Sequence, residues 1–270
     1  MTGTPPDWYD AYVFDLDGTI YLGNDLLPGA RRLIDGLRGA GRTVKFLSNN
    51  ATNDPAMYQR KLEAFGLPTP LEDIANTVVT TTSWLTTHHP GAALFVIGEE
   101  PLQHALREAG FELTEDPEQI DIVVASYDRG FDYRKLQIAF DAIWFHRRAF
   151  LIQTNPDRFC PYPGGRGEPD CAAITAAIEA CTQTRCRVSL GKPSPVMLEA
   201  ALGGTGLDPT RCIMVGDRLM TDIKMAVDAG MDSALVLTGD STADEVSALP
   251  ESQRPTFVLD RIDRLLPHVD

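Results

Sequence analysis

Basic residues are scarce in this chain of 270 residues. Lys and Arg number 24 against 38 Asp and Glu, a formal net charge of -14. An acidic surface repels phosphate backbones and anionic lipid headgroups unless a local basic patch intervenes. No run of Lys and Arg is long enough to make one, so neither a nucleic acid nor a membrane is expected as a partner. Cysteine is sparse too. Cys160, Cys171, Cys181, Cys186 and Cys212 are odd in number, and no two have C-x-x-C spacing. That argues against a disulfide framework and against a structural zinc site. Reduced thiols in a cytoplasmic protein are the plain expectation. The longest apolar runs, such as 92–97, are far too short to span a bilayer. Residues 1–10 show no basic stretch followed by an apolar one, so no signal peptide is expected. Repeats and low-complexity segments are absent.

What the chain does have is an alternation of short apolar runs with helical patterns, the signature of an α/β protein. Residues 12–14 predict a buried strand, 30–38 a helix with Leu33, Ile34 and Leu37 on one face, and 43–47 the next strand. A helix follows over 56–65, with Pro55 placed to open it and Gly66 to close it. A second rhythm begins near Thr81. It has strands at 93–97, 121–125 and 150–153 and helices at 101–109, 133–145 and 172–181. His88 and His89 are expected in a solvated loop before Pro90, and 161–167 reads as a turn-rich loop. The first rhythm resumes with strands at 188–190, 213–215, 234–237 and 257–259 and helices at 195–203 and 223–229.

Acidic and polar residues sit where these strands end. Asp15-Leu16-Asp17-Gly18-Thr19 follows the first strand. Two carboxylates so close raise each other's pKa unless a cation lies between them. A hard ion such as Mg²⁺ prefers carboxylate and carbonyl oxygens. Gly18 permits a tight turn whose N–H groups can face an anion. Taken alone, D-x-D-G is equally a solvated turn. Ser48-Asn49-Asn50 follows the second strand and offers a hydroxyl and amides to phosphate oxygens, though such residues also make helix caps. Gly191-Lys192-Pro193 supplies a compact positive charge. Gly216-Asp217 through Asp222 brings two more acids to a strand end. Ligands of open α/β sheets bind at those carboxyl ends.

The order D-x-D-G-T, S-N, G-K-P, G-D-x-x-x-x-D resembles the haloacid dehalogenase-like (HAD) superfamily of aspartyl-phosphate hydrolases, end to end. The segments 12–29, 46–50, 191–195 and 216–223 are similar to the branch of nitrophenyl, sugar and pyridoxal-phosphate phosphatases. The resemblance implies a Rossmann-like parallel-sheet core over 1–80 and 188–270, with an α/β cap of the C2 type inserted over 81–187. It implies Asp15 as nucleophile and Asp17 as general acid and base. Asp15, Asp17 (through its backbone carbonyl) and Asp217 would hold Mg²⁺, and Asp222 would orient a water on the ion. Ser48, Asn49, Asn50 and Lys192 would hold the phosphate. In the cap, Tyr127, Cys160, Pro161 and Asp170 would meet the leaving group. The branch of pyridoxal-phosphate phosphatases carries His-Pro where this chain has Cys160-Pro161, which argues against that cofactor as substrate. Asp170 is also placed to cap the helix after it. A nucleophilic Cys160 is not expected, because no His is near it in sequence.

The resulting expectation is a Mg²⁺-dependent phosphatase of a small phosphorylated metabolite, with a homodimer through the cap implied by the branch. Dehalogenases lack the second Asp of the first motif, so Asp17 argues against that chemistry. Phosphomutases insert a helical cap between the first two motifs, and 18–47 leaves no room for one. A non-catalytic phosphate sensor on the same scaffold, or a pyridoxal-phosphate or nucleotide phosphatase, is the alternative; a sensor commonly loses an acid, and all four motif acids are present.

Overall fold

The structure, a computed structural model, describes residues 5–162 and 166–267. The chain divides into two compact units, one formed by 1–48, 56–75 and 197–270, the other by 49–55 and 76–196. The sequence placed the insert at 81–187; the second unit also takes in 49–55, 76–80 and 188–196, and with the last of these the Gly191-Lys192-Pro193 segment expected in the core.

The first unit is built on a six-stranded sheet. Its order is Phe257–Leu259, Asp232–Val236, Cys212–Gly216, Ala11–Asp15, Thr43–Ser48, Ile74–Asn76. Ala11–Asp15 runs parallel to both of its neighbours. All five of its residues are buried, which is why the segment reads as an unbroken apolar run rather than an alternation. The helix Ala30–Gly39 buries Ala30, Leu33, Ile34 and Leu37, the face predicted from spacing. These residues join Tyr12, Phe14, Phe46, Ile213 and Val215 in one core layer. A second layer on Val13, Leu47 and Met214 is closed by Met197, Leu198 and Met225. Strand order reverses at Ala11–Asp15, since the next strand in sequence lies on one side and Cys212–Gly216 on the other. Ligands of doubly wound sheets bind at such a switch point.

The second unit has a four-stranded parallel sheet in the order Glu112–Leu113, Ala93–Ile97, Ile122–Ala125, Phe150–Gln153. The helices Thr77–His88 and Glu100–Glu108 cover one face and Tyr133–Phe140 and Cys171–Thr182 the other.

Several local expectations differ from what is observed. His88 closes the helix Thr77–His88 instead of lying in a loop, and both His88 and His89 pack on Trp84. The helix predicted over 133–145 is α-helical only to Phe140, then widens into a π-turn at Asp141–Phe145. Residues 188–190 make a single bridge, Ser189 to Gln153 of the second unit's sheet, rather than a strand of the first. Where a turn-rich loop was expected over 161–167, Phe159–Tyr162 pairs antiparallel with Arg166–Pro169; residues 163–165 of that loop lie outside the described residues. Among the described residues no helix is long and apolar enough to cross a membrane.

Candidate active site

Register brings the acids of the first unit together. Phe14 lies beside Val215 and Asp15 beside Leu47, so Asp15, Ser48 and Gly216-Asp217 all leave the sheet at one edge. Asp15, Asp217 and Asp222 are buried, and each offers a carboxylate oxygen within 4.8 Å of the others. Glycines make this convergence possible. A Cβ on Gly18 (φ +87) would stand 2.6 Å from Asp217 Oδ2, one on Gly239 1.9 Å from the same atom, and one on Gly216 2.3 Å from the Asp222 carboxylate. Asp217 Oδ2 accepts the Asp240 N–H at 2.8 Å. Its Oδ1 is buried with no hydrogen-bond partner among the described residues. Asp222 Oδ2 accepts the Arg218 N–H at 3.1 Å.

Burial, and after it the charges of Asp15 and Asp222, push the Asp217 carboxyl well above the ordinary carboxylate range. Arg218 and the Asp240 N–H oppose that shift. Three crowded carboxylates and an unsatisfied buried oxygen are costly unless a cation neutralises them. The donors are all oxygen, the set that suits a hard divalent ion. The cluster is thus able to hold a metal ion. It includes the side chain of Asp222, expected only to orient a water. The side chain of Asp17 stands outside it.

Asp17 leaves the strand on the far side of Leu16. Solvent reaches it, yet surrounding protein thins its hydration enough to push its carboxyl up to about 6. Lys61 is the main opposing influence, with the negative Asp15 adding to the rise. The Tyr21 hydroxyl donates to Asp17 Oδ2 at 3.3 Å, and the Lys61 ammonium lies 3.6 Å from the centre of the Tyr21 ring. Thr238 Oγ1 donates to the Gly18 carbonyl at 2.6 Å, tying the acidic turn to the segment after Asp232–Val236. Ser48 Oγ is 2.9 Å from the Tyr58 hydroxyl. Sequence reading missed Lys61, Tyr21, Tyr58 and Thr238. Only Tyr21 carried a signal, its place four residues beyond Asp17.

The other phosphate-site candidates belong to the second unit. The Asn49 side chain is engaged with Lys192 and Asp157. Asn50 Oδ1 accepts both the N–H and the hydroxyl of Thr52. Lys192 is almost wholly buried. Of the four predicted cap residues, Tyr127 is buried and its hydroxyl donates to Glu168 Oε2 at 2.5 Å. Tyr162 donates to the same oxygen at 2.9 Å. Cys160 pairs with Glu168 and Pro161 with Gly167 across the hairpin. The Asp170 carboxylate accepts the Cys171 N–H and caps the helix Cys171–Thr182, the alternative role its position allowed. Glu168 was missed because the hairpin that sets it beside Tyr127 was read as a loop.

Residues 12–112 match the family model described as haloacid dehalogenase-like hydrolase, and 189–265 match a second HAD-hydrolase-like model. The chain is 38% identical over 253 residues to the sugar-phosphatase AraL of Bacillus subtilis, covering 93% of this chain and 89% of that protein. It is 35% identical over 238 residues to the acid sugar phosphatase of Staphylococcus aureus, with 88% and 90% covered. Among solved structures it superposes on the 4-nitrophenylphosphatase of Thermotoga maritima with a TM-score of 0.87 at 31% identity, covering 95% of this chain and 96% of the other.

Proposed function

The chain belongs to the haloacid dehalogenase-like hydrolases and is a phosphatase, and we propose that it is a Mg²⁺-dependent one whose substrates are small phosphorylated metabolites, sugar phosphates foremost. The observation that carries this reading is the buried cluster of Asp15, Asp217 and Asp222, with an unsatisfied Asp217 oxygen and with Asp17 two residues from Asp15. The names of the similar proteins support the substrate class.

In this proposal the Asp15 carboxylate attacks phosphorus and forms an aspartyl-phosphate, which splits one difficult displacement into two. Asp17, its carboxyl pushed up to about 6, holds a proton for the departing alkoxide. Having lost that proton, it takes one from the water that hydrolyses the aspartyl-phosphate. Ser48, the backbone of the segment Asn49-Asn50 and Lys192 hold the phosphoryl oxygens, where fixed donors and positive charge stabilise the transition state. Asp15, Asp217 and the Asp17 carbonyl, with Asp222 beside them, would hold Mg²⁺, which supplies charge neutralisation for the phosphoryl group when bound. The second unit acts as the cap, and Tyr127, Glu168, Cys160 and Pro161 select the leaving group.

The direct test is turnover of p-nitrophenyl phosphate and of a panel of hexose, pentose and glycerol phosphates, with Mg²⁺ and with chelator. Mg²⁺-dependent hydrolysis with a preference for a sugar phosphate is expected. Full activity in chelator, or no hydrolysis of any phosphomonoester, would overturn the proposal.

A further inference from the structure

Asn49 stands directly after the serine motif, where a side chain is expected to meet phosphate. Its carboxamide faces the protein instead. Oδ1 accepts the backbone N–H of Lys192 at 2.7 Å. Nδ2 donates to the Lys192 carbonyl at 3.1 Å and to Asp157 Oδ2 at 3.2 Å. Both hydrogens of the amide are thereby used, and none is left for a ligand. One side chain pairs with both backbone polar groups of a single residue, as a neighbouring strand would.

We propose that Asn49 and Asp157 are positioning residues for Lys192, which rests on the reading above that Lys192 holds phosphate. Asn49 is itself held from behind. Its carbonyl accepts the Thr77 hydroxyl at 2.8 Å and the Asn155 amide at 3.0 Å. Asn155 Oδ1 in turn accepts the Asp157 N–H at 2.9 Å. All of these side chains are buried. Asp157 sets the direction of the clamp. The amide end next to a carboxylate and a carbonyl must be the NH₂, so Oδ1 is turned to the Lys192 N–H. Gly191 lets the segments close, since a Cβ there would stand 2.6 Å from Asn49 Oδ1 and 2.7 Å from the Thr154 carbonyl.

Lys has a long flexible stem, and the place of its ammonium depends on where the backbone starts it. A clamp on both sides of that backbone removes freedom before an anion arrives. In a buried network each lost partner also leaves another polar group unsatisfied. Asn49→Asp keeps the shape but replaces the two donated hydrogens with a charge facing Asp157 and the Lys192 carbonyl. Asp157→Ala keeps both Asn49 bonds to the Lys192 backbone but removes the carboxylate that anchors the NH₂ end, so the clamp is looser. Asp157→Asn, with an acceptor oxygen of the same reach, should restore the clamp.

The experiment is calorimetric binding of inorganic phosphate in Mg²⁺, alongside p-nitrophenyl phosphate kinetics, in wild type and in a Lys192→Ala background. Asn49→Asp and Asp157→Ala are each expected to weaken phosphate binding roughly tenfold, the scale of one hydrogen bond involving a charged group. Asp157→Asn is expected to recover most of that loss. With Lys192 already Ala, neither substitution should weaken binding further, because both act through that lysine. Equal losses in both backgrounds, or unchanged phosphate affinity in Asp157→Ala, would overturn the proposal. If Asn49→Asp fails to fold, the Asp157 pair carries the test alone. Phosphate binding is read without turnover, so a wild type that binds phosphate but hydrolyses no ester would sink the phosphatase reading and leave this one standing or falling by itself.

Discussion

Replacing Asp217 by Asn should stabilise the metal-free protein and abolish its response to Mg²⁺. Asp217 lies within 4.8 Å, oxygen to oxygen, of two other carboxylates. At an effective dielectric of 20, each like-charged pair at that distance costs about 3 kcal/mol. The Asp240 N–H and Arg218 favour the charge, and weakening those contacts returns roughly 1 kcal/mol or more. Two such pairs less that return leave a net gain for Asn of at most about 5 kcal/mol, each kcal/mol being worth roughly 2–4 °C in Tm in a chain of this size. The sign depends on pH. The folded-state pKa of Asp217 is raised, so folding is unpenalised below the unfolded value, where the group is protonated in both states. Stability is lost as pH rises through the folded value. The variant's advantage should therefore be present at pH 8 and shrink toward zero near pH 4. Mg²⁺ works against that advantage. Bound at a hundred times its Kd, it stabilises wild type by about 2.7 kcal/mol and the variant hardly at all. Thermal denaturation by circular dichroism, with chelator or Mg²⁺ at several pH values, reads both effects. A variant less stable than wild type in chelator at pH 8, or equal Mg²⁺ shifts in both proteins, would refute the reasoning.

Ca²⁺ should inhibit turnover measured in Mg²⁺, because it accepts more oxygen ligands and can occupy both oxygens of Asp15, removing the attacking lone pair; equal rates in the two ions would contradict this. Gly18→Ala should lower both stability and Mg²⁺ affinity: the left-handed φ costs about 1–2 kcal/mol for an L-residue, and the added carbon meets Asp217 Oδ2 at 2.6 Å. Denaturant unfolding and Mg²⁺ titration read the two losses. Tyr127→Phe and Cys160→Ala should change kcat/KM for the best sugar phosphate more than for p-nitrophenyl phosphate, with Tyr127→Phe costing about 1–3 kcal/mol by removing one of the two phenols on Glu168. The same factor on both substrates would move leaving-group selection to other cap residues.

The acids of the site were legible because buried parallel strands are continuous apolar runs, and a carboxylate ending such a run is conspicuous. Ala11–Asp15 and Cys212–Gly216 announce Asp15 and Asp217 in that way. Helix Ala30–Gly39 was legible from its spacing. Helix Thr77–His88 was not, since Thr and Val are β-branched and resist helix; its start is fixed by Asn76, whose side chain accepts the Val79 N–H. The hairpin at 159–169 was hidden by Pro161 and its Gly-rich neighbours, which a two-stranded edge tolerates. The π-turns at Asp141–Phe145 and Leu219–Ile223 insert a residue into otherwise helical spacing, which periodicity cannot show. Residues that act through others were the least visible. Lys61 is brought beside Tyr21 only by tertiary packing, and nothing in its local sequence marks it.

Acid-quenched mixtures of the Asp17→Asn variant with p-nitrophenyl phosphate and Mg²⁺ test the central claim most directly. Nitrophenolate leaves without a proton, so loss of Asp17 should spare the first step and slow the hydrolysis that needs a base. Peptide mass spectrometry should then find one phosphoryl group on the peptide carrying Asp15, and none when Asp15 is also changed to Asn. Release of nitrophenol with no covalent adduct, or with the adduct on another residue, would contradict the assignment of Asp15 as nucleophile.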